Sequence, residues 1–345
     1  MPFHVTLKPS GHQFELQEGE TLLEGALREG YGLPYGCRSG ACGTCKGTLL
    51  SGDVDYGNYL AGVLTEDEKR HGKALFCRAK PLSDVVIEAR EVAAVKDIQI
   101  KKLPCRVEKI ERVNHDVAVL SLRLPANERL HFLAGQYIDV LLKNGKRRSF
   151  SLANAPHDDQ FLQLHIRHYA GGSFSDFVFS ELKERAILRF EGPLGTFFLR
   201  EDSDKPIIFM AGATGFAPIK GIIEHAFYTG SLRQMVLYWG VRTLADLYMA
   251  DTAKQWQATH DNFTFIPVLS DSGPDDHWAG RTGFVHQAIS EDFAELSGYQ
   301  VYACGPPAMV DAGHRAFTMT RGLPAEEFYS DPFTISFDAT ANSKA

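Results

Sequence analysis

Four of the chain's six cysteines have a spacing that suits metal ligation; they are Cys37, Cys42, Cys45 and Cys77. A C-x4-C-x2-C segment followed by a distant fourth cysteine is the ligand pattern of a plant-type [2Fe-2S] cluster. Three thiolates from one short segment can bind the same cluster only if the backbone wraps tightly around it. Gly36, Gly40 and Gly43 favour such a wrap, because glycine accepts positive φ angles and lets backbone amides approach the sulfurs.

Two other interpretations of these cysteines stay open at this point. Structural zinc sites usually combine two short C-x2-C knuckles, whereas this chain has one, from Cys42 to Cys45. A loop with incidental cysteines would have to explain why four of six cysteines fall in one ligand pattern. The spacing therefore favours an iron-sulfur cluster over both a zinc ion and coincidence.

The composition is that of a globular protein with sizeable cores. The chain has 345 residues, of which 44% are hydrophobic and 23% are charged, so two or three domains are expected. The net charge of −7 is spread along the chain, and the absence of a Lys/Arg block argues against nucleic acid or an anionic membrane as a partner. Glycines and prolines interrupt the most apolar segment, 206–223, and the N-terminus lacks an apolar signal segment. We therefore expect a cytoplasmic protein, in a reducing compartment that suits cysteine-ligated metal.

Hydrophobic periodicity predicts three domains, at residues 1–92, 103–203 and 204–338. The first is a small α+β unit, with strands near 3–7 and 12–16 and with helices that begin near Thr21 and Thr65. After a linker at 92–102, short strands separated by turns predict a small antiparallel barrel. From residue 204, apolar strands alternate with the helical segments 217–228, 244–259, 284–296 and 307–320, which predicts a parallel sheet covered by helices.

The barrel segment contains three elements that could bind a phosphorylated cofactor. The first is a basic-aromatic-serine strand with Arg148, Phe150 and Ser151. The second is a glycine turn at the start of a predicted helix, where free amides and the helix dipole favour a phosphate; it comprises Gly172, Ser173, Phe174 and Ser175. The third is the turn at 191–195, with the sequence Glu-Gly-Pro-Leu-Gly.

In this order the three elements resemble the flavin-binding barrel of the ferredoxin-NADP reductase family. The resemblance implies that Arg148 pairs with the FAD pyrophosphate, that Phe150 packs against the isoalloxazine or ribityl group, and that Ser151 lies near flavin N5. Tyrosine is commoner in the family at the position of Phe150, so a hydroxyl contact is lost here. The glycine turn would hold the phosphates, and His165 and Arg167 on the strand before it are included in the predicted cofactor site. As lone features, His165 and its neighbour His168 suit barrel or surface positions better than metal ligation.

The third domain resembles the same family's nicotinamide-binding domain. Its first strand leads into a Gly-x-Thr-Gly-x-x-Pro loop formed by Gly212, Thr214, Gly215 and Pro218, with Ala213 where another glycine is frequent. Arg242 follows the second strand, where an adenosine ribose is expected. The fourth strand ends in Cys304, Gly305 and Pro306. By resemblance the Cys304 thiol lies beside the nicotinamide; taken alone, it suits an inert buried cysteine. Near the C-terminus, Phe333 either covers the flavin or belongs to an ordinary last strand.

The resemblance covers residues 3–335 and implies an electron-transfer reductase with a β-grasp-like ferredoxin domain, an antiparallel flavin barrel and a parallel-sheet nicotinamide domain. Hydride would pass from NADH to FAD, with Ser151 and Cys304 as catalytic residues, and single electrons would pass through the cluster to a partner enzyme. NADH is favoured over NADPH because Asp246 near Arg242 would repel a 2′-phosphate.

The partner is the part of the function that the motifs leave open. They look most like those of CDP-6-deoxy-glucoseen reductases, which serve a dehydratase. Reductase components of aromatic-ring or phenol oxygenases share the domain order. A redox sensor without turnover is the alternative of another class, and a monomer is expected.

Overall fold

The computed structural model describes residues 2–96, 98–273 and 277–334. The chain forms two compact units, one up to Gln99 and the other from Ile100 onward. None of the helices in the described segments combines the length and apolar character needed to span a bilayer.

The first unit is built on a mixed five-stranded sheet. Its elements are β1 (Phe3–Lys8), β2 (Gln13–Leu16), α1 (Leu22–Arg28), β3 (Lys46–Ser51), β4 (Val54–Asp55), α2 (Glu66–Arg70), β5 (Lys73–Leu75), β6 (Lys80–Pro81) and β7 (Val85–Glu88). The strand order is β2-β1-β7-β3-β5, and only the central pair β1 and β7 is parallel. Helix α1 lies so close to β2 that a Cβ on Gly25 would overlap Leu16. This arrangement confirms the predicted β-grasp-like domain.

Side-chain capping determines where both helices of this unit begin. Thr21 Oγ1 accepts a hydrogen bond from the Glu24 amide at 3.2 Å, and the Glu24 carboxylate accepts one from the Thr21 amide at 2.9 Å. Thr65 and Glu68 form the same reciprocal pair at the start of α2. Each box satisfies two amide donors that a helix N-terminus otherwise leaves free, which explains why the sequence located these two starts.

The second unit opens with a six-stranded antiparallel barrel. Its elements are β8 (Lys101–Arg112), β9 (Val117–Arg123), β10 (Tyr137–Leu141), β11 (Arg147–Ser151), β12 (Leu162–Arg167), α3 (Ser173–Ser180) and β13 (Ile187–Leu194). The strand order is β11-β10-β13-β8-β9-β12, and a bridge between Leu152 and Leu164 joins the two end strands. The predicted barrel is confirmed.

A six-stranded parallel sheet completes the unit and confirms the predicted α/β domain. Its elements are β14 (Ile207–Gly212), α4 (Phe216–Tyr228), β15 (Met235–Val241), α5 (Ala250–Thr259), β16 (Phe263–Leu269), β17 (Arg281–Thr282), α6 (Val285–Asp292), β18 (Gln300–Gly305), α7 (Pro307–Thr320) and β19 (Phe328–Pro332). The strand order is β17-β16-β15-β14-β18-β19. The chain reverses its direction of progress across the sheet between β14 and β18. A crevice outside the carboxyl ends of these two strands is the usual ligand site of such sheets.

The structure shortens one predicted helix and shows a last strand near the C-terminus. The segment 244–259 begins as a single 3-10 turn at Leu244–Asp246, in which Asp246 accepts a hydrogen bond from the Thr243 amide, and α5 begins only at Ala250. The turn ends at Leu247, whose ψ of 62° departs from helical geometry, and periodicity alone did not show this interruption. The C-terminal segment forms a last strand, β19, beside β18. The predicted boundary between residues 203 and 204 lies within the second unit, between β13 and β14.

Candidate functional site

The cysteine loop lies between α1 and β3, and Cys77 follows β5 on the same unit. The amides of Ser39 and Ala41 donate to Cys37 Sγ, and the Cys37 amide donates to Cys42 Sγ, each at 3.4 Å. Backbone donors of this kind stabilise thiolate ligands. The loop therefore already presents its amides to the sulfurs that a cluster would use.

The four thiols are arranged as two close pairs. The hydrogen bond with Cys42 lowers the pKa of Cys37 to about 5, while the same contact raises the pKa of Cys42. The contact between the other two thiols raises the pKa of Cys45 and lowers that of Cys77. In each pair the main influence on the thiol pKa is the hydrogen bond between the two sulfurs, so the two sulfurs of a pair lie close together. Two thiols for each of two metal ions is the donor set that a [2Fe-2S] cluster requires.

A single zinc ion fits this arrangement less well. Four sulfurs bound to one zinc at roughly 2.3 Å would lie about 3.8 Å from one another. Among the described residues, no three of these sulfurs come within 4.8 Å of one another. The spacing of the sulfurs therefore fits two metal ions, each held by one pair of thiols, better than a single ion held by all four.

Loop conformation at two positions makes this wrap possible. Arg38 and Gly40 both adopt positive φ, at 56° and 77°. A Cβ on Gly40 would lie 2.8 Å from Tyr59 Cβ and 2.9 Å from Arg78 Cγ, so a side chain there has no room. Arg38 shows that one strained non-glycine position is tolerated in the same turn.

The predicted pyrophosphate site is assembled at the start of α3. Arg148 Nη2 donates to Ser173 Oγ at 3.3 Å, which places the guanidinium beside the first turn of the helix. Gly172 is the residue before that turn. The Ser175 hydroxyl donates to the Tyr169 and Gly172 carbonyls at 3.1 Å, so it shapes the turn instead of facing a ligand. A cation, a hydroxyl and free helix amides in one place fit an anionic phosphate group.

The predicted aromatic of the flavin site packs within the barrel. The Phe150 ring lies 5.3 Å from the ring of Phe174, and both join the barrel's apolar core. Phe174 is buried, whereas Phe150 is half-buried. The structure thus gives Phe150 the position of a packing residue and gives Phe174 a supporting role behind it.

Ser151 and Cys304 come together through a residue that the sequence did not single out. The Ser151 hydroxyl donates to Asp331 Oδ2 at 3.4 Å, and the Cys304 thiol donates to the Asp331 carbonyl at 3.2 Å. Asp331 is buried and lies on β19. Burial raises the pKa of Cys304 well above its usual value, so the thiol keeps its proton. Asp331 lies two residues before Phe333, but only the pairing of β19 with β18 brings it to Ser151.

A cavity of 480 Å³ opens at the carboxyl ends of the parallel strands. Predicted residues that line it are Gly212, Thr214, Arg167, Arg242 and Pro306. Other lining residues are Ala213, Asp116, Asp246, Tyr248, Phe284 and His286. This is the crevice expected from the strand order, and its size suits part of a dinucleotide.

Close backbone packing behind this cavity accounts for the glycines of both loops. A Cβ on Gly215 would lie 2.0 Å from the Cys304 carbonyl oxygen, and one on Gly305 would lie 2.7 Å from the Gly212 carbonyl oxygen. Ala213 adopts a φ of 48°, which explains why a glycine is frequent in related loops at this position. Pro218 is buried in the first turn of α4.

Arg167 and His165 lie where the barrel meets the parallel-sheet part of the unit. Arg167 Nε donates to Asp116 Oδ2 at 2.7 Å, and both side chains line the cavity. His165 Nδ1 lies 2.9 Å from the Tyr248 hydroxyl oxygen. Complete burial lowers the pKa of His165 to about 3, so the ring is neutral. Both were predicted to contact a cofactor; the structure places Arg167 beside the dinucleotide crevice and His165 in the packing beneath it.

Arg242 and Phe333 occupy the two sides of the parallel-sheet site. Arg242 Nη2 donates to Asp271 Oδ2 at 2.8 Å at the cavity margin. The Phe333 amide donates to the Gly305 carbonyl at 2.8 Å, which places it beside the Cys-Gly-Pro turn. Phe333 is half-buried against the core of this domain.

Three domain families match the sequence in the predicted order. The match to "2Fe-2S iron-sulfur cluster binding domain" spans residues 5–82, and that to "Oxidoreductase FAD-binding domain" spans 104–199. The match to "Oxidoreductase NAD-binding domain" spans 209–315. The predicted [2Fe-2S], FAD and nicotinamide cofactors are therefore confirmed.

Relatives and solved structures extend this match to the full chain. The CDP-6-deoxy-L-threo-D-glycero-4-hexulose-3-dehydrase reductase of Yersinia pseudotuberculosis is 43% identical over 97% of this chain and 100% of its own length. The phenol hydroxylase P5 protein of Acinetobacter pittii is 34% identical over 99% of this chain and 97% of its own length. The crystal structure of the Amycolatopsis cytochrome P450 reductase GcoB superposes with a TM-score of 0.79 at 36% identity, covering 96% of this chain and 99% of that one. The chain belongs to the family of flavin-dependent electron-transfer reductases that combine a [2Fe-2S] domain with FAD- and NAD-binding domains.

Proposed function

We propose that this reductase supplies electrons to a nucleotide-sugar dehydrase, as the name of its Yersinia relative describes. The supporting observation is the identity of 43% over 97% of this chain and the relative's full length, against 34% for the phenol hydroxylase component. The reaction would deliver single electrons to a dehydrase that holds a CDP-6-deoxyhexulose intermediate. Electron transfer to an aromatic oxygenase is the second candidate function, because relatives of that class cover the chain equally well.

The FAD site is assigned to the barrel and its helix α3. When bound, the flavin accepts hydride and releases its electrons one at a time. It thereby connects the nicotinamide, which gives two electrons together, to a cluster that accepts one. Arg148 and Ser173 would hold the pyrophosphate, and Phe150 would pack against the isoalloxazine or ribityl group. Ser151 would lie near the reacting edge of the flavin, with its hydroxyl oriented by the hydrogen bond that it donates to Asp331.

The nicotinamide site is assigned to the crevice between β14 and β18. Gly212 and Thr214 would approach the pyrophosphate, and the protonated Cys304 thiol would lie beside the nicotinamide ring. Because burial keeps the thiol protonated, Cys304 adds no charge beside the nicotinamide ring.

A preference for NADH over NADPH follows from the charges around the cavity. Arg242 is already paired with Asp271, and the carboxylates of Asp116 and Asp246 also line the cavity. Carboxylates repel the added 2′-phosphate of NADPH. Steady-state kinetics with both nucleotides test this assignment, and a larger kcat/KM for NADPH overturns it.

The organisation proposed for the chain follows the predicted domains at 1–92, 103–203 and 204–338. The cluster is assigned to Cys37, Cys42, Cys45 and Cys77, and Phe333 is assigned to the flavin side of the last strand. We also propose that the protein is a cytoplasmic monomer that binds neither nucleic acid nor a membrane. Gel filtration of the purified holoprotein tests the monomer, because a dimer would elute at twice the mass.

Reoxidation of the reduced holoprotein distinguishes the candidate partners. The protein is reduced anaerobically with one equivalent of NADH and mixed with the Yersinia dehydrase and its CDP-sugar, or with the phenol hydroxylase oxygenase component and phenol. Faster reoxidation by the dehydrase supports the proposal, and faster reoxidation by the oxygenase supports the second candidate. A protein that binds all three cofactors but reduces neither ferricyanide nor cytochrome c with NADH would be a sensor.

A further inference from the structure

Two enclosed polar atoms beside the cysteine ligands have no hydrogen-bond partner among the described residues. They are the hydroxyl oxygen of Thr44, which lies between Cys42 and Cys45 in the sequence, and Nε of Arg78, which follows Cys77. A buried donor without a partner costs folding free energy, so native structures leave few of them. Two such atoms next to three of the four ligands indicate that their partners belong to the group that the cysteines hold.

The two donors adjoin the cysteine ligands from two separate segments. Thr44 lies in the loop between Cys42 and Cys45, and Arg78 directly follows Cys77. All of these residues belong to the first unit.

Packing holds the Arg78 side chain in this position. A Cβ at Gly40 would meet Arg78 Cγ at 2.9 Å, so the aliphatic stem lies directly against the cysteine loop. The Arg78 amide donates to the Leu75 carbonyl at 2.8 Å, which anchors the backbone from which the stem departs. Gly40 therefore leaves room for the Arg78 side chain and also allows the positive φ of the turn.

We propose that Thr44 and Arg78 donate hydrogen bonds to sulfur atoms of the cluster and thereby raise its reduction potential. Reduction adds one electron to the cluster and so one negative charge, with no bond made or broken. Hydrogen-bond donors and a nearby cation stabilise the more negative state more than the oxidised one. The cluster accepts electrons from the flavin more readily as a result.

Potentiometric titration of the full-length holoprotein, with the reduced cluster followed by electron paramagnetic resonance, tests the proposal. Thr44→Val keeps the side-chain shape without the hydroxyl, and Arg78→Gln removes the charge and the guanidinium. Each is expected to lower the ratio of reduced to oxidised cluster about tenfold at a fixed potential, a shift of 59 mV for a one-electron couple. Thr44→Ser keeps a hydroxyl and should retain the potential of the parent.

Matched controls separate this effect from general changes in stability or charge. Thr48→Val removes a hydroxyl whose partner is Lys73, at 2.8 Å, and Arg70→Gln removes an equal charge from the exposed face of α2. Both should leave the cluster potential unchanged, as every variant should leave the flavin potential unchanged. Iron and sulfide content verify that each variant carries its cluster.

Unchanged cluster potentials in both Thr44→Val and Arg78→Gln, with full iron content, would overturn the proposal. If either of these proteins fails to retain its cluster, Thr44→Ala and Arg78→Lys take its place. Arg78→Lys keeps the charge without Nε–H, and Thr44→Ala removes the hydroxyl with less crowding. In these two proteins, a ratio of reduced to oxidised cluster within about twofold of the parent's at the same potential would equally refute the proposed hydrogen bonds.

Discussion

Replacing Gly215 with alanine should force apart the two loops that form the back of the dinucleotide crevice. The added Cβ would lie 2.0 Å from the Cys304 carbonyl oxygen, 2.4 Å from the Cys304 carbonyl carbon and 2.7 Å from the Gly305 nitrogen. Ordinary contacts begin near 3.4 Å. All three neighbours are backbone atoms, so no side chain can rotate away and relieve the overlap.

The cost of this overlap can be bounded from the packing. Forcing an extra methyl group into a close-packed region typically costs about 1–3 kcal/mol. Each 1.36 kcal/mol corresponds to a tenfold change, so a strain carried by the binding loops would lower kcat/KM for NADH by about 5- to 150-fold. If α4 moves instead of the loop, the same energy appears as a lower unfolding temperature.

Ferricyanide reduction with varied NADH measures the effect on the nucleotide site without involving the partner enzyme. Flavin and iron content establish that the other two cofactors are in place. Gly298→Ala is the matched control, because a Cβ at Gly298 meets nothing within 4 Å. We expect the control to match the parent in both kcat/KM and unfolding temperature.

The outcome that refutes this reasoning is a Gly215→Ala protein with kcat/KM within twofold of the parent and an unchanged unfolding temperature. Such a protein would show that the loops tolerate a side chain between them. The assignment of the nicotinamide site to this crevice would then lose its main structural argument.

Three further predictions concern the other parts of the molecule. Cys42→Ala should abolish cluster absorption and cytochrome c reduction while NADH-dependent ferricyanide reduction persists, and Cys105→Ala, in the barrel core, should retain all three. Arg148→Ala should weaken FAD binding about tenfold or more in a flavin-release titration, because hydrogen bonds to charged groups are worth about 1.5–3 kcal/mol, whereas Arg129→Ala at the surface should not. Burial lowers the pKa of His165 to about 3, so the unfolded chain binds this proton more tightly and stability falls as the pH drops below about 6.5. Between about pH 7.5 and about pH 5 the free energy of unfolding should fall by about 2 kcal/mol. His165→Gln should reduce the slope of the unfolding free energy against pH, measured by urea titration with flavin fluorescence. An equal slope in both proteins would contradict a neutral buried ring.

Local sequence patterns sufficed wherever a single segment carries the information. The cofactor types, the helix starts near Thr21 and Thr65 and the order of the strand and helix segments were all predicted, because spacing, hydrogen-bond chemistry and periodicity act over a few residues. Periodicity extended one helix too far, at 244–259, because the backbone leaves helical geometry at Leu247 and α5 begins only at Ala250. A hydrophobic pattern does not reveal a local break of this kind.

Residue roles that depend on distant segments were outside the reach of the sequence. Asp331 meets Ser151 across 180 positions only because β19 pairs with β18, and Arg167 reaches the crevice only because the barrel packs against the parallel sheet. The same holds for Arg78, whose place beside the cysteine loop depends on Gly40.

The sequence by itself determined the cofactor types, since ligand spacing and glycine turns are local properties of the chain. The tertiary structure decided how the four thiols divide into two pairs, which glycines are indispensable and which polar atoms are left beside the cluster without a partner. These are properties of distances between segments, and only the folded backbone sets those distances.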